Sequence, residues 1–290
     1  MQFEKFFNSE SLASKSLMRS RIANAVSSDS WKTTIAIILE NDLAFGQLKV
    51  IEVGCGTGTL SLILNLLGAN TTLLDADEDA LNLARALFDM YGREATFIKA
   101  NVLEDVPNKK LNSFDLAISA GLAEHFMNDD REKCIAFHEL LLKKNGFAVI
   151  GVPNRFGVFY RLVRGFRELT KTWTISQEIP FTYWELKRYA KKVGFVRSEI
   201  VGNASLRKDM RVYFMGLISA VLDAFPQEIR KALKKIKKNE NKKNECDINV
   251  TDEVRMIVES IDSIRKKKPL LRRKAIKNYL CSEITLFGFK

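Results

Sequence analysis

Short apolar segments alternate with amphipathic ones over residues 48–201, and this alternation restricts the fold more than any other feature of the sequence. The strand-like segments are residues 48–53, 71–75, 95–100, 114–120, 147–152 and 195–201. Most are separated by stretches of helical periodicity that end in glycine, including residues 132–146. Because strands that alternate with helices usually pair in parallel, the sequence predicts an α/β fold with a doubly wound, mostly parallel sheet.

The segments on either side of this region have other patterns. Residues 1–45 predict an N-terminal helical segment, and residues 46–204 predict the core with its alternating strands and helices. Residues 205–278 are basic with helical periodicity, which predicts a helical insertion that forms a lid or cap over the carboxyl ends of the strands, where ligands of such sheets bind. Residues 279–290 alternate like a strand, and we expect them to return to the sheet edge as its seventh strand.

Charge is distributed unevenly along the chain. Residues 1–150 contain 15 Lys and Arg against 20 Asp and Glu, whereas residues 151–290 contain 31 against 15. A block this basic suggests phosphates, an anionic membrane or an acidic acceptor. The segment 229–238, IRKALKKIKK, predicts a helix that either lies on an anionic membrane or is simply solvated on its basic face.

The cysteines and the apolar runs indicate the compartment. The four cysteines have no metal-ligand spacing, so we expect no metal site and a reducing, cytoplasmic location, with peripheral membrane contact as a further option. The longest apolar run, 212–222, is shorter than the about 20 residues that span a bilayer. Residues 1–15 lack the apolar stretch of a signal peptide.

A glycine-rich turn, VIEVGCGTGTL, joins the first strand to the following helix. Gly54, Gly56 and Gly58 would let the backbone turn tightly and approach a ligand. The spacing is G-x-G-x-G, unlike the G-x-G-x-x-G of dinucleotide sites. Glu52, two residues before the first glycine, would repel a pyrophosphate but suits a ligand with ammonium and sulfonium groups. A purely structural turn or a phosphate loop is the alternative.

The same turn begins a series of segments that resembles the class I, Rossmann-like S-adenosylmethionine-dependent methyltransferases. FDLAISAGLAEHF, LLLKKNGFAVIGVPN and PFTYWELKRYAKKVGF follow in the family's order, and the resemblance covers about residues 45–202. It is strongest to the branch that acts on quinones, lipids, glycans and other small molecules. The resemblance implies S-adenosylmethionine as cofactor, S-adenosylhomocysteine as product and methyltransferase activity.

The resemblance implies that ten residues of this chain contact the cofactor. They are Glu52, Gly54, Cys55, Gly56, Gly58, Asp75, Ala76, Asn101, Val102 and Ser119. The resemblance implies that Asp75 accepts the ribose hydroxyls, that Asn101, where the family often has Asp, contacts the adenine amino group, and that Ser119 lies near the methionine end. Cys55 is interpreted as a small filler of the turn and not as a nucleophile.

Glu124 and His125 follow the fourth strand and are the candidate catalytic residues. Related enzymes have this position facing the reaction centre, and an imidazole has a suitable pKa for a general base. A structural histidine that orders the loop is the alternative. His138, within a helical pattern, is interpreted as a packing or surface residue.

The methyl acceptor is predicted only by class. A small-molecule, lipid or lipid-linked acceptor is favoured, and aromatic residues over 156–184 suit an apolar pocket or plain core packing. RNA is an alternative because of the basic half, although no RNP-like motif accompanies it. A non-catalytic protein that binds the cofactor is a second alternative. The sequence does not predict an oligomeric state.

Overall fold

A computed structural model describes residues 15–104, 111–171, 178–203, 250–266 and 281–290, and its centre is a seven-stranded sheet. The strands are β1 (Lys49–Val53), β2 (Asn70–Asp75), β3 (Thr96–Lys99), β4 (Phe114–Ala120), β5 (Leu142–Pro153), β6 (Arg197–Asn203) and β7 (Glu283–Phe289). Their order is β3-β2-β1-β4-β5-β7-β6, and only β7 runs antiparallel to its neighbours. The mostly parallel α/β sheet is therefore confirmed.

Eight α-helices belong to the described residues. They are α1 (Lys15–Val26), α2 (Asp29–Glu40), α3 (Thr59–Leu66), α4 (Glu78–Met90), α5 (Asn128–Leu141), α6 (Val158–Leu169), α7 (Tyr183–Lys192) and α8 (Val250–Arg265). Helix α7 begins with a capping box, in which Thr182 and Glu185 each accept a backbone N–H of the other residue. Within the described ranges, no helix is long and apolar enough to cross a membrane.

Helices cover both faces of the sheet. Residues of α1 to α4 and α8 pack in one apolar cluster with one face of the strands, and residues of α5 and α7 pack in a second cluster on the other. Strands buried on both sides have continuous apolar sequences, which explains why the strand segments were recognisable. The two clusters hold the carboxyl ends of β1, β2, β3 and β4 along one edge of the sheet.

The position of β7 corrects one expectation. The seventh strand was expected at the sheet edge, but it lies between β5 and β6 and pairs with both of them. Residues Ile284 to Gly288 are all buried, so neither face of β7 meets solvent as an edge strand usually would.

A second correction concerns residues 142–146, which were expected to continue a helix. Helix α5 ends at Leu141, and β5 begins at the next residue. Asn145 has a φ of 67°, which a helix does not allow, and its N–H donates to Lys290 O at 3.2 Å. The side chain of Lys143 forms an ion pair with the buried carboxylate of Asp115. These tertiary contacts favour the strand.

Helix α8 is the described part of the segment predicted as a basic insertion, and it packs against α1 and α2. Trp31 Nε1 donates to Ser260 Oγ at 3.1 Å, and the Tyr91 hydroxyl donates to Glu253 Oε1 at 3.3 Å. The rest of that segment, including the helix predicted at 229–238, lies outside the described residues. The lid and the domain boundaries therefore stay predictions.

Candidate functional site

The glycine turn has a backbone that requires glycine. Gly54, Gly56 and Gly58 have φ values of 64°, 50° and 70°, the left-handed region in which a side chain is strained. A Cβ at Gly58 would lie 2.5 Å from Leu73 Cδ2, and one at Gly54 would lie 2.7 Å from Leu122 Cδ1. The turn therefore packs tightly against Leu73 and Leu122, and it leads into the first turn of α3.

Asp75 ties the glycine turn to the end of β2. Its Oδ2 accepts the Gly56 N–H at 3.0 Å, and its Oδ1 accepts the Asp77 N–H at 3.0 Å. Burial raises the pKa of the Asp75 carboxyl, and these backbone donors act in the opposite direction. The carboxylate is thus held beside the turn, at the position where the resemblance implies ribose binding.

Glu52 is buried behind the turn, with its side chain directed to α3. Its Oε2 accepts the Ser61 N–H at 2.9 Å, which joins β1 to the first turn of the helix. Burial raises the pKa of Glu52 to about 7, so a cationic ligand nearby would favour its ionised form. The structure gives Glu52 an anchoring contact that the sequence did not predict.

The other predicted contacts differ in their surroundings. Ser119 at the end of β4 is buried, and its Oγ has no hydrogen-bond partner among the described residues. Asn101 Oδ1 accepts the Leu103 N–H at 3.0 Å, so its carbonyl already supports a local turn. Ala76 is exposed after β2, and Val102 is buried in the core on the α5 side.

Cys55 is buried inside the turn. Burial raises the pKa of its thiol, and the carboxylates of Glu52 and Asp75 raise it further. Because only the thiolate is an effective nucleophile, this environment does not suit covalent catalysis.

A cavity of about 250 Å³ lies between the N-terminal helices and the carboxyl ends of β4 and β5, and Ser119 is the predicted cofactor contact that lines it. Ala25, Trp31 and Leu60 supply part of its apolar wall, and Glu283 of β7 supplies a carboxylate. The sequence did not predict that the N-terminal helices or Glu283 belong to the site. No local motif marks them, because both reach the site through tertiary packing.

Glu124 and His125 lie in a single 3-10 turn, Ala123–His125, directly after β4. Glu124 is 3% exposed, and burial raises its pKa to about 8. His125 is half-buried, and its backbone N–H donates to Leu122 O at 3.1 Å.

His138 is fully buried in α5. Its Nδ1 lies 2.8 Å from Cys134 O, and burial lowers its pKa to about 4. This is the environment of a packing residue.

Part of the chain is similar in sequence to known methyltransferases. Residues 50–146 match a family described as "Methyltransferase domain". A ubiquinone biosynthesis O-methyltransferase of Rickettsia prowazekii is 30% identical over 40% of this chain and 43% of that protein. The protein of the same description from Aromatoleum aromaticum is 26% identical over 61% of this chain and 76% of its own length.

Solved structures show the same fold. Phosphoethanolamine N-methyltransferase 2 of Haemonchus contortus superposes with a TM-score of 0.55 at 16% identity, covering 100% of this chain and 61% of that one. The fold is thus that of Rossmann-like methyltransferases. The chain spans less than half the length of the curated relatives that match it first.

Proposed function

We propose that the protein transfers a methyl group from S-adenosylmethionine to a small-molecule, lipid or lipid-linked acceptor. One observation carries the proposal: the glycine turn after β1, Asp75 at the end of β2 and the cavity lined by Glu283 all lie at the carboxyl ends of the parallel strands. Ligands of open α/β sheets bind at this edge. The methyltransferase domain at residues 50–146 supports the reaction class.

The residues at this edge fit the cofactor. Asp75 would accept its ribose hydroxyls, the glycine turn would admit it close to the backbone, and the unpartnered Ser119 Oγ offers a polar contact near β4. When bound, the cofactor supplies a methyl group on a sulfonium, which is its own leaving group. The chain's share is then to orient the acceptor and to exclude water.

The N-terminal helices and the turn after β4 would carry out these two tasks, orienting the acceptor and excluding water. Helices α1 and α2 contribute Asn24, Ala25 and Trp31 to the cavity wall, which separates an acceptor from solvent. His125 is proposed as the base that removes a proton from the acceptor, with Glu124 beside it as the second acid–base group.

Calorimetry with S-adenosylhomocysteine tests the cofactor half of this proposal. We expect one site per chain, and absence of binding would contradict the function. Small molecules and lipids that co-purify with the protein should be identified by mass spectrometry and then offered as acceptors with radiolabelled S-adenosylmethionine. Cofactor binding without transfer to any of them would favour the non-catalytic binding protein.

Peripheral contact with an anionic membrane is proposed as a further property, and α6 supplies an observation that favours it. Val158, Leu162 and Leu169 lie on one side of this helix and are 48%, 64% and 82% exposed. Arg161 is exposed next to them. Exposed apolar side chains beside a cationic one are the arrangement by which helices lie on anionic lipid.

Vesicle co-sedimentation checks this property. We expect more protein on vesicles with anionic lipid than on neutral ones, with binding that weakens as salt screens the charges. The double variant Leu162→Ser, Leu169→Ser should lose binding, whereas Val196→Ser, a change at an exposed apolar residue of the loop before β6, should not. Tight, salt-sensitive binding of structured RNA with no lipid preference would favour the RNA alternative.

A further inference from the structure

Gly121 and Gly151 lie at the carboxyl ends of β4 and β5, and each has a glutamate carboxylate close to the position that a side chain would occupy. Gly121 N–H donates to Gly151 O at 3.1 Å, so the two glycines are neighbours. A Cβ at Gly121 would lie 3.4 Å from Glu124 Oε1, and one at Gly151 would lie 3.0 Å from Glu283 Oε1. The two carboxylates, which come from different elements, therefore lie over neighbouring glycines, and Glu283 also lines the cavity.

Glu124 has a carboxylate oxygen that no described residue bonds. The residue is 3% exposed, and its Oε2 has no hydrogen-bond partner among the described residues. Burial is the main cause of its raised pKa, the carboxylates of Glu178 and Glu283 add to it, and Arg131 opposes it. Burial raises the pKa of the Cys134 thiol, and the nearby charge of Glu124 raises it further. A buried oxygen without a donor is costly, and a ligand with N–H groups would satisfy it.

Glu283 faces the cavity, whose other walls are largely apolar. The lining includes Trp31, Leu60, Ile118 and Val149, and Glu283 lies at the end formed by β5 and β7. A molecule that fits this shape has a compact apolar body and one cationic end. Among the described residues, no group of three or more metal-binding side chains exists, which favours an ammonium over a metal ion.

We propose that Glu124 and Glu283 bind the ammonium of the methyl acceptor, and that the acceptor is a small amine with an apolar body. This proposal rests on the proposed function and specifies its substrate class. The two carboxylates hold the nitrogen at the end of β4, and His125 accepts one of its protons. The N–H electron pair then stays on nitrogen, which would form the new bond to the methyl carbon of S-adenosylmethionine. The carbon–sulfur bond would break at the same time, and its electron pair would stay on sulfur in S-adenosylhomocysteine.

Calorimetry with simple amines tests the site without requiring turnover. Benzylamine, cyclohexylamine and 1,4-diaminobutane are titrated into the protein with and without saturating S-adenosylhomocysteine, and benzyl alcohol is the neutral control. We expect an amine to bind and the alcohol to bind more weakly. Glu283→Gln and Glu124→Gln should each lower amine affinity by about 10- to 100-fold, the range for losing a hydrogen bond to a charged group.

The control variant is Glu199→Gln, which removes a carboxylate on β6 that pairs with Arg197, and it should leave amine affinity unchanged.

Because the pKa of Glu124 is about 8, binding of a cation at pH 7 should release up to about one proton. Calorimetry in two buffers of different ionisation enthalpy measures that release, and Glu124→Gln should abolish it.

The outcomes separate this site from the proposed function. Retained S-adenosylhomocysteine binding with no amine binding at about 10 mM overturns the ammonium site alone. Loss of S-adenosylhomocysteine affinity in both glutamine variants would show that the carboxylates hold the amino group of the cofactor, which also overturns it. Charge-dependent amine binding by a protein that does not bind S-adenosylhomocysteine would support the site and contradict the methyltransferase function.

Discussion

Gly56→Val is expected to abolish measurable binding of S-adenosylhomocysteine. Gly56 has a φ of 50°, and its N–H donates to Asp75 at 3.0 Å. A β-branched side chain is strained at this φ and would fill the space over the turn that the ligand needs. Calorimetry measures the affinity, and circular dichroism checks that the variant is folded.

Two further variants make this result specific. Gly46→Val adds the same side chain where a Cβ meets no atom within 4 Å, and it should bind normally. Asp75→Ala should weaken binding by about 1–3 kcal/mol, because ligand hydroxyls lose a charged acceptor. Unchanged affinity in both Gly56→Val and Asp75→Ala would place the cofactor elsewhere.

His125→Ala is expected to lower the maximal rate of methyl transfer by about 100-fold or more and to leave cofactor affinity unchanged. His125 lies directly after Glu124 in the turn that follows β4, and it is the base in the proposed reaction. Steady-state kinetics with radiolabelled cofactor gives the rate, and calorimetry gives the affinity.

The variant His125→Gln distinguishes a base from a structural residue. Glutamine keeps a hydrogen-bonding side chain of similar reach but does not titrate near pH 7. If His125 only orders the turn, glutamine should restore most of the rate. If it is the base, both variants should be slow. A nearly unchanged rate in both would show that the acceptor needs no proton removed by this residue.

The core of the fold could be predicted because its signals are local. Strands buried on both faces are continuous apolar runs, and glycines with positive φ, such as Gly68 and Gly92, end the helices. The glycine turn and Asp75 were recognised for the same reason. Both the turn and Asp75 can be recognised from their position directly at the end of a predicted strand.

The other features depend on contacts between distant segments. Residues 142–146 form a strand because Lys143 pairs with Asp115 and because Asn145 donates to Lys290, and neither partner is evident from the local pattern. Glu283 reaches the cavity only because β7 enters the sheet beside β5. An acid at the start of an isolated strand has no sequence signal for such a role.

The insertion of β7 between β5 and β6 has a consequence for the order of folding. In the described sheet, β6 pairs with no strand other than β7, and the two are separated in sequence by residues 204–282. Such distant pairings form late, because a long loop must close before they gain any contacts. Strands β1 to β5, and with them the glycine turn, can pair earlier. We therefore expect a chain arrested before β7 docks to have the glycine turn in place and to lack the carboxylate of Glu283 at the cavity.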